Sequence, residues 1–234
     1  MRTRAARVDG RVKKIGFLSF GHWSSSPGSQ TRSASDALLQ SIDLAVAAEE
    51  LGADGAYFRV HHFARQLGSP FPLLAAIGAR TSRIEIGTAV IDMRYDLQSS
   101  TLINNESDKP FHLQQAEQIQ AFRDAWQHAG HEREPRVSVS RSIFALVDDR
   151  DRAYFGRQNQ DTDQIGFIDA KTQAIFGRTY AAEPDVLIQQ LKEDEAIAAA
   201  DTLLLTVPSQ LGVDYNAHVI DSILTHIAPA LGWR

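Results

Sequence analysis

Gly52-Ala53-Asp54-Gly55-Ala56-Tyr57-Phe58-Arg59-Val60-His61-His62-Phe63 decides how this chain is read. Ahead of it, Ala48-Glu49-Glu50-Leu51 closes a helical pattern, and Gly52 stands where a left-handed helix cap is wanted. A short apolar strand, about Gly55 to Val60, starts at once and hands two imidazoles to a loop. Helix, glycine, strand and histidine pair make one unit of a βα barrel, a fold that carries its chemistry at the C-terminal ends of its strands.

Working outward, Ile15-Gly16-Phe17-Leu18-Ser19-Phe20-Gly21 has the compact, apolar, glycine-bounded form of a strand buried on both faces. His22 to Ser35, rich in Ser, Gly, Pro and Thr, reads as a long loop. Ser35 is then expected to cap a helix from about Asp36 to Leu51, with Leu38, Ile42, Ala45 and Leu51 as the buried stripe and Leu39 and Val46 beside it. Glu49 and Glu50 are expected in water. Further on, the pattern predicts a helix over Phe71 to Arg80 and strands over Ile84 to Ile91 and Leu97 to Ile103. A helix over Pro110 to Ala129 stops at Gly130-His131. A strand follows over Val137 to Val147, then a helical region over Pro184 to Ala199, a last strand over Thr202 to Val207 and a closing helix over Tyr215 to Leu231.

The alternation predicts an α/β, TIM-barrel-like (β/α)8 fold that is incomplete, with six strands where eight close a barrel. Residues 1–14 form a basic extension and residues 15–234 a single barrel domain. The shortfall falls after Asp92-Met93-Arg94-Tyr95, where Asp96-Leu97-Gln98-Ser99-Ser100-Thr101 follows directly. About two βα units are missing there, through natural shortening or through an omitted middle segment. In a short chain, the strands near Ile84 and Leu97 would lie at an imperfectly closed seam and favour a dimer.

Composition limits the function. The 234 residues are 43% hydrophobic and 23% charged, as expected of a globular chain with a sizeable core. The net charge of -5 and the lack of a Lys/Arg cluster interleaved with aromatics argue against nucleic acid as partner. There is no cysteine, so no disulfide framework or thiolate chemistry, which fits a reducing cytoplasm and leaves redox chemistry to a borrowed cofactor. No apolar stretch reaches the ~20 residues of a membrane span, and no signal core follows the basic start. Neither a dinucleotide-binding glycine fingerprint nor a P-loop is present.

The His61-His62-Phe63 loop resembles that of the bacterial luciferase family of flavin-dependent monooxygenases, and the likeness continues downstream. Pro72 to Val90, ending in Gly87-Thr88-Ala89-Val90, is similar to the family's second helix and third strand; Leu97 to His131 and Gly177 onward are also similar. This resemblance implies reduced FMN, supplied by a separate flavin reductase, reacting with oxygen to oxidise a small organic substrate; a deazaflavin (F420) branch is the alternative cofactor. It implies His61 as acid/base, since an imidazole exchanges protons near neutrality. It places His62 and Trp23 at the pocket, and Thr88, Ala89, Val90 and Ser100 against the flavin, with a non-proline cis peptide at Ala89-Val90. The competing reading of the pair is two loop histidines with structural hydrogen bonds. Adjacent strand side chains face opposite ways, so His61 and His62 are poorly placed to share a metal. Arg141, a charge inside a strand, requires an anion, either a cofactor phosphate or an internal carboxylate. The family also includes a homodimeric habit and a shortened relative, the non-fluorescent flavoprotein, so a flavin-binding protein without catalysis is the competing function.

Overall fold

The structure, a computed structural model, describes residues 12–61, 64–88, 96–103, 109–156, 162–167 and 173–233. In chain order the elements are β1 (Lys14–Ser19), α1 (Ala34–Leu51), β2 (Gly55–Phe58), α2 (Pro70–Gly78), β3 (Glu85–Thr88), β4 (Leu97–Ser99), β5 (Leu102–Ile103), α3 (Phe111–His128), β6 (Val137–Arg141), β7 (Ile143–Ala145), α4 (Asp149–Phe155), β8 (Ile165–Phe167), β9 (Gln173–Ile175), β10 (Tyr180–Ala182), α5 (Pro184–Lys192), α6 (Glu195–Ala199), β11 (Thr202–Val207) and α7 (Gly212–Ser222). They form two compact units, one of Lys14–Met93 with Leu204–Ala228, the other of Met1–Lys13, Arg94–Leu203 and Pro229–Arg234.

The first unit is the βα alternation expected. Its strands run β3-β2-β1-β11, with β1, β2 and β3 parallel and in register. Gly16 lies opposite Gly55, and a Cβ on Gly16 would sit 2.7 Å from the Gly55 carbonyl oxygen, so only glycine lets the two backbones meet there. Helix α1 ends on Gly52 in the left-handed conformation, φ 84°, as the sequence requires. It starts on Ser33, not Ser35. Ser33 Oγ accepts from Asp36 N while Asp36 Oδ2 accepts from Ser33 N, a reciprocal pair that the three-residue spacing permits and Ser35 cannot form with Asp36. Ile42 and Ala45 of the expected stripe are buried, together with Ala37, Ser41, Leu44 and Ala48, whereas Leu38 and Leu39 are exposed. Small residues on the inner face let α1 pack closely, here against α7. Glu49 does more than stay in water, since its carboxylate accepts from the backbone N–H groups of Ser82, Arg83 and Ile84 and so caps the turn into β3.

The second unit departs further from the expected pattern. The strand predicted over Val137 to Val147 is two strands broken at Ser142, β6 pairing in parallel with β4 and β7 in parallel with β10. The strand predicted over Leu97 to Ile103 is likewise divided, and its second piece, β5, joins an antiparallel β5-β9-β8 sheet. Asp201 ties the start of β11 to β6, its N–H donating to Val137 O and its carboxylate accepting from Val137 N. Helix α3 packs on α6. Among the described residues β3 has one strand neighbour, β2, and β4 has one, β6. No helix among the described residues is long and apolar enough to cross a membrane.

Candidate functional site

Register brings three chain segments to one edge of the first unit. Ser19 pairs with Phe58 and Phe58 with Thr88, so the residues after β1, β2 and β3 leave from the same ends of parallel strands. His61 lies just beyond β2, exposed, with its backbone N–H donating to Leu67 O at 2.9 Å. Leu67 is buried, and it fits because Gly21, at φ 57°, has no Cβ: one would lie 2.3 Å from Leu67 Cγ. The strand ends thus draw residues 64–68 back over β1.

Arg59 sits two residues before His61. Its N–H donates to Ser19 O at 2.9 Å and its guanidinium lies 5.3 Å from the Phe20 ring centroid. Arg59 Nε is buried and has no hydrogen-bond partner. Burial lowers the Arg59 pKa, and no carboxylate offsets it. His22 Nε2 lies 2.9 Å from Gln66 Nε2. An amide nitrogen can only donate, so the His22 ring accepts there and carries its proton on Nδ1. Burial first, then the charges of Arg59 and His61, hold the His22 pKa below the ordinary histidine value. Gln66 Oε1, the other end of that amide, is buried and unpartnered. Trp23 N donates to Arg65 O, and the Arg65 guanidinium lies 5.4 Å from the Trp23 ring centroid.

Two of the three segments at this edge lack acidic residues. Residues 16–35 and 55–84 contain no Asp or Glu, in a chain that has 29 of them. An orphaned buried donor and an orphaned buried acceptor beside these two acid-free segments are groups that a polar ligand would satisfy.

Of the residues singled out from the sequence, Trp23, His61 and Thr88 belong to this unit. Thr88 is the last residue of β3, half-buried opposite Phe58. His62, Ala89 and Val90, with the cis peptide expected at the last two, lie outside the described residues. Ser100 and Arg141 belong to the second unit. Ser100 is half-buried after β4, and the hydroxyl beside it already has internal partners: Ser99 Oγ donates to Gln118 Oε1 at 2.7 Å and accepts from Gln115 Nε2 at 2.9 Å, both on α3.

Arg141 resolves to one of its two expected partners. Its Nε and Nη2 donate to the two carboxylate oxygens of Asp194 at 2.8 and 3.1 Å, with both side chains at or below 1% exposure. Tyr180 Oη donates to Asp194 as well, at 2.7 Å, and Ile197 N donates at 2.9 Å. Burial alone would raise the Asp194 pKa, but the charge and hydrogen bonds of Arg141 hold it down, while burial beside that carboxylate pushes Tyr180 up to about 12. The anion that Arg141 needs is therefore an internal carboxylate, and the guanidinium has no free face for a phosphate.

The sequence reading passed over Arg59, His22, Arg65 and Gln66. The signal that could have found them is the acid-free composition of the two segments, visible without any structure.

Residues 15–94 match the family model of the luciferase-like monooxygenases, a span that holds β1, β2, β3 and the histidine loop. Over 65 residues the chain is 42% identical to the uncharacterized protein YwcH of Bacillus subtilis (strain 168), a match covering 27% of this chain and 20% of that protein. The chain thus spans about a fifth of the length of this curated relative. Among solved structures, the monooxygenase RslO1 from Streptomyces bottropensis is similar with a TM-score of 0.63 at 12% identity, over 92% of this chain and 99% of that one. Apo-MsnO8 is similar with a TM-score of 0.56 at 14% identity, over 95% and 99%. The oxygenating constituent of 3,6-diketocamphane monooxygenase from Pseudomonas putida, a Type II Baeyer-Villiger monooxygenase in complex with FMN, is similar with a TM-score of 0.53 at 12% identity, over 94% and 98%. The chain therefore resembles the luciferase-like monooxygenases, in sequence over residues 15–94 and in fold over most of its length.

Proposed function

We propose that the chain is a flavin-dependent oxidoreductase of the luciferase-like type, working with reduced FMN and oxygen on a small organic molecule at the C-terminal ends of β1, β2 and β3. The observation that carries this reading is the placement of His61. It is exposed at the end of β2, with its backbone fixed to Leu67 and a basic, acid-free rim around it, inside the segment that matches the family. The flavin, when bound, supplies the electrons that activate oxygen. The chain's part is to hold the ring and move protons. His61 would give or take a proton through a ring nitrogen, Thr88 would border the flavin at the end of β3, and Trp23 under Arg65 would wall the pocket against water. Ser100, His62, Ala89 and Val90 remain the further contacts implied by the resemblance. In this reading a separate reductase delivers the reduced flavin, the setting is the cytoplasm, and two copies pair. The single strand neighbour of β3 and of β4 supports the pairing.

Titration of the purified protein with FMN, FAD, NAD and F420, followed by fluorescence, tests the proposal. FMN is expected to bind preferentially; preference for F420 would move the chain to the deazaflavin alternative, and equal weak responses to all four would remove the flavin reading. If FMN binds and no oxygen-dependent turnover follows with any reductase, the non-catalytic flavin carrier is the function.

A further inference from the structure

Among the described residues, the first unit keeps basic groups together at one edge without a carboxylate against them. The Phe20 ring lies between His22, at 5.8 Å, and the Arg59 guanidinium, at 5.3 Å, the charges of Arg59 and His61 act on His22, and Arg65 is on the same loop as Gln66. Among the described residues none of them meets a carboxylate. A buried guanidinium nitrogen without a partner is costly, and folding alone gives no reason to keep it. An orphaned group retained at a strand's C-terminal end is the mark of a ligand site.

We infer that Arg59, flanked by His22 and His61, binds an oxyanion carried by a small ligand, and that its arrival is coupled to uptake of one proton at His22. This rests on the flavin reading only for the assignment of the oxyanion to the substrate rather than to the cofactor. Arg59 Nε is a buried donor without a partner, and the half-buried guanidinium that carries it is the group that meets the oxyanion. The proton comes from solvent and goes to His22 Nε2. Gln66 then turns its amide so that Oε1, now without a partner, accepts from the new N–H, and the protonated ring keeps Nδ1–H as a donor. The turn gives the new ring N–H an acceptor in Oε1 and carries Gln66 Nε2 to the other side of the amide. The electrostatics agree in sign. Arg59 and His61 oppose a charge on His22, and a bound anion offsets that opposition. The groups facing His22 are Arg59 after β2, His61 in the following loop, Gln66 beyond it and the Phe20 ring edge-on at 5.8 Å.

Two sources could bring the oxyanion, a carboxylate on the substrate or the phosphate of FMN, and isothermal titration calorimetry near pH 7 in buffers of different ionisation enthalpy separates them. The titrants are hexanoate, hexanol, FMN and riboflavin on the whole protein. Hexanoate is expected to bind at least about tenfold more tightly than hexanol, the scale of one charge-assisted hydrogen bond, and to take up a proton while hexanol takes up none. Arg59→Met should remove that preference and Arg59→Lys restore part of it. His22→Gln should keep the preference for hexanoate and lose the proton uptake, an effect that a merely structural His22 would not produce. Proton uptake with FMN but not with riboflavin, abolished by prior hexanoate, would assign the same oxyanion site to the cofactor phosphate. Equal binding of hexanoate and hexanol without proton uptake by FMN, undiminished hexanoate binding by Arg59→Met, or proton uptake that persists in His22→Gln would each overturn the inference. Failure of any flavin to bind, with hexanoate behaving as expected, would sink the flavin reading and leave the oxyanion site standing.

Discussion

The two ends of β1, β2 and β3 are built from opposite charges and to opposite degrees of completion. At the N-terminal end every strong group has a partner. Asp54 N donates to Ile15 O at 2.7 Å, its carboxylate accepts from Ile15 N at 2.8 Å, and its carbonyl accepts from Glu85 N at 3.0 Å. Glu85 in turn takes the Tyr57 hydroxyl at 2.6 Å and faces Lys14 at 3.7 Å, while Glu49 caps Ser82 to Ile84. At the C-terminal end the charges are basic, and a guanidinium nitrogen and an amide oxygen are buried without partners. One end spends its polar groups on locking strand register; the other holds them in reserve. In barrels the first pattern goes with stability and the second with chemistry, which is the ground for proposing the ligand site at this end.

The largest expected effect is at the open end. His61→Ala should slow the oxidative half-reaction roughly 10²-fold or more and leave flavin affinity within a few-fold, as removal of a positioned acid/base does. Stopped-flow mixing of reduced complex with oxygen measures it, and unchanged kinetics would return His61 to a structural role. At the closed end the effect should be on folding instead. Gly16→Ala drives a Cβ to 2.7 Å from a backbone oxygen that cannot step aside, and should cost about 1–3 kcal/mol in urea unfolding with kinetic constants of the folded fraction unaltered.

Paired substitutions sharpen the contrast. Asp54→Ala leaves Ile15 N without its acceptor and should destabilise by about 1–2 kcal/mol. Arg59→Met removes an orphaned donor and should leave stability unchanged or raised by up to about 1 kcal/mol while impairing ligand binding, the exchange of stability for function expected of a working site. If both destabilise alike, the two ends are not different in kind.

The smallest effect is in pH dependence, where the ends should fail in different windows. His22 has a folded pKa below 6.5, so the neutral ring is favoured in the folded state; its contribution is complete above pH 6.5 and is lost as pH falls through the lowered value. Arg59→Met should make that loss shallower. Glu49, whose pKa the N–H groups of Ile84 and Arg83 lower from 4.5, keeps its contribution above that pH and gives it up only in more acid solution. Thermal melts from pH 7 to 3 would show two steps of slope; a single step near 4 would deny His22 its part.

What could be read without coordinates was the regular half. Strands β1, β2 and β11 are largely apolar runs bounded by glycine or polar turns, β3 is placed by the helix that precedes it, and Gly52 announces the end of α1, so period and punctuation were enough. The second unit hid because its strands are too short to show a period: β7, β8, β9 and β10 are three residues each, and β5 two. Ser142 splits what reads as one strand because Ile143 to Ala145 pair with β10 and not with β4. The inner face of α1 was legible at Ile42 and Ala45 but not at Leu38, which is exposed, because the face turns toward Ala37, Ser41, Leu44 and Ala48. Within the site, His61 and Trp23 stood out through their neighbours in sequence. Arg59 did not, because one arginine in a strand carries no signal; its meaning lies in the carboxylates missing around it. Arg141 was legible as a charge needing an anion, but only tertiary structure could name Asp194, 53 residues away.

That pair also bears on how the second unit reaches its final form. Either charge buried without the other would be heavily penalised, and burying both together is favourable only in good geometry with the remaining hydrogen bonds made. Here Tyr180, Ile197 and the bidentate fork must all converge on one carboxylate before water leaves. β6, β10 and the start of α6 therefore have no comfortable half-docked arrangement. A slipped register or a trapped compact state would strand an ion in oil, and the chain is driven back to search until all three segments arrive together.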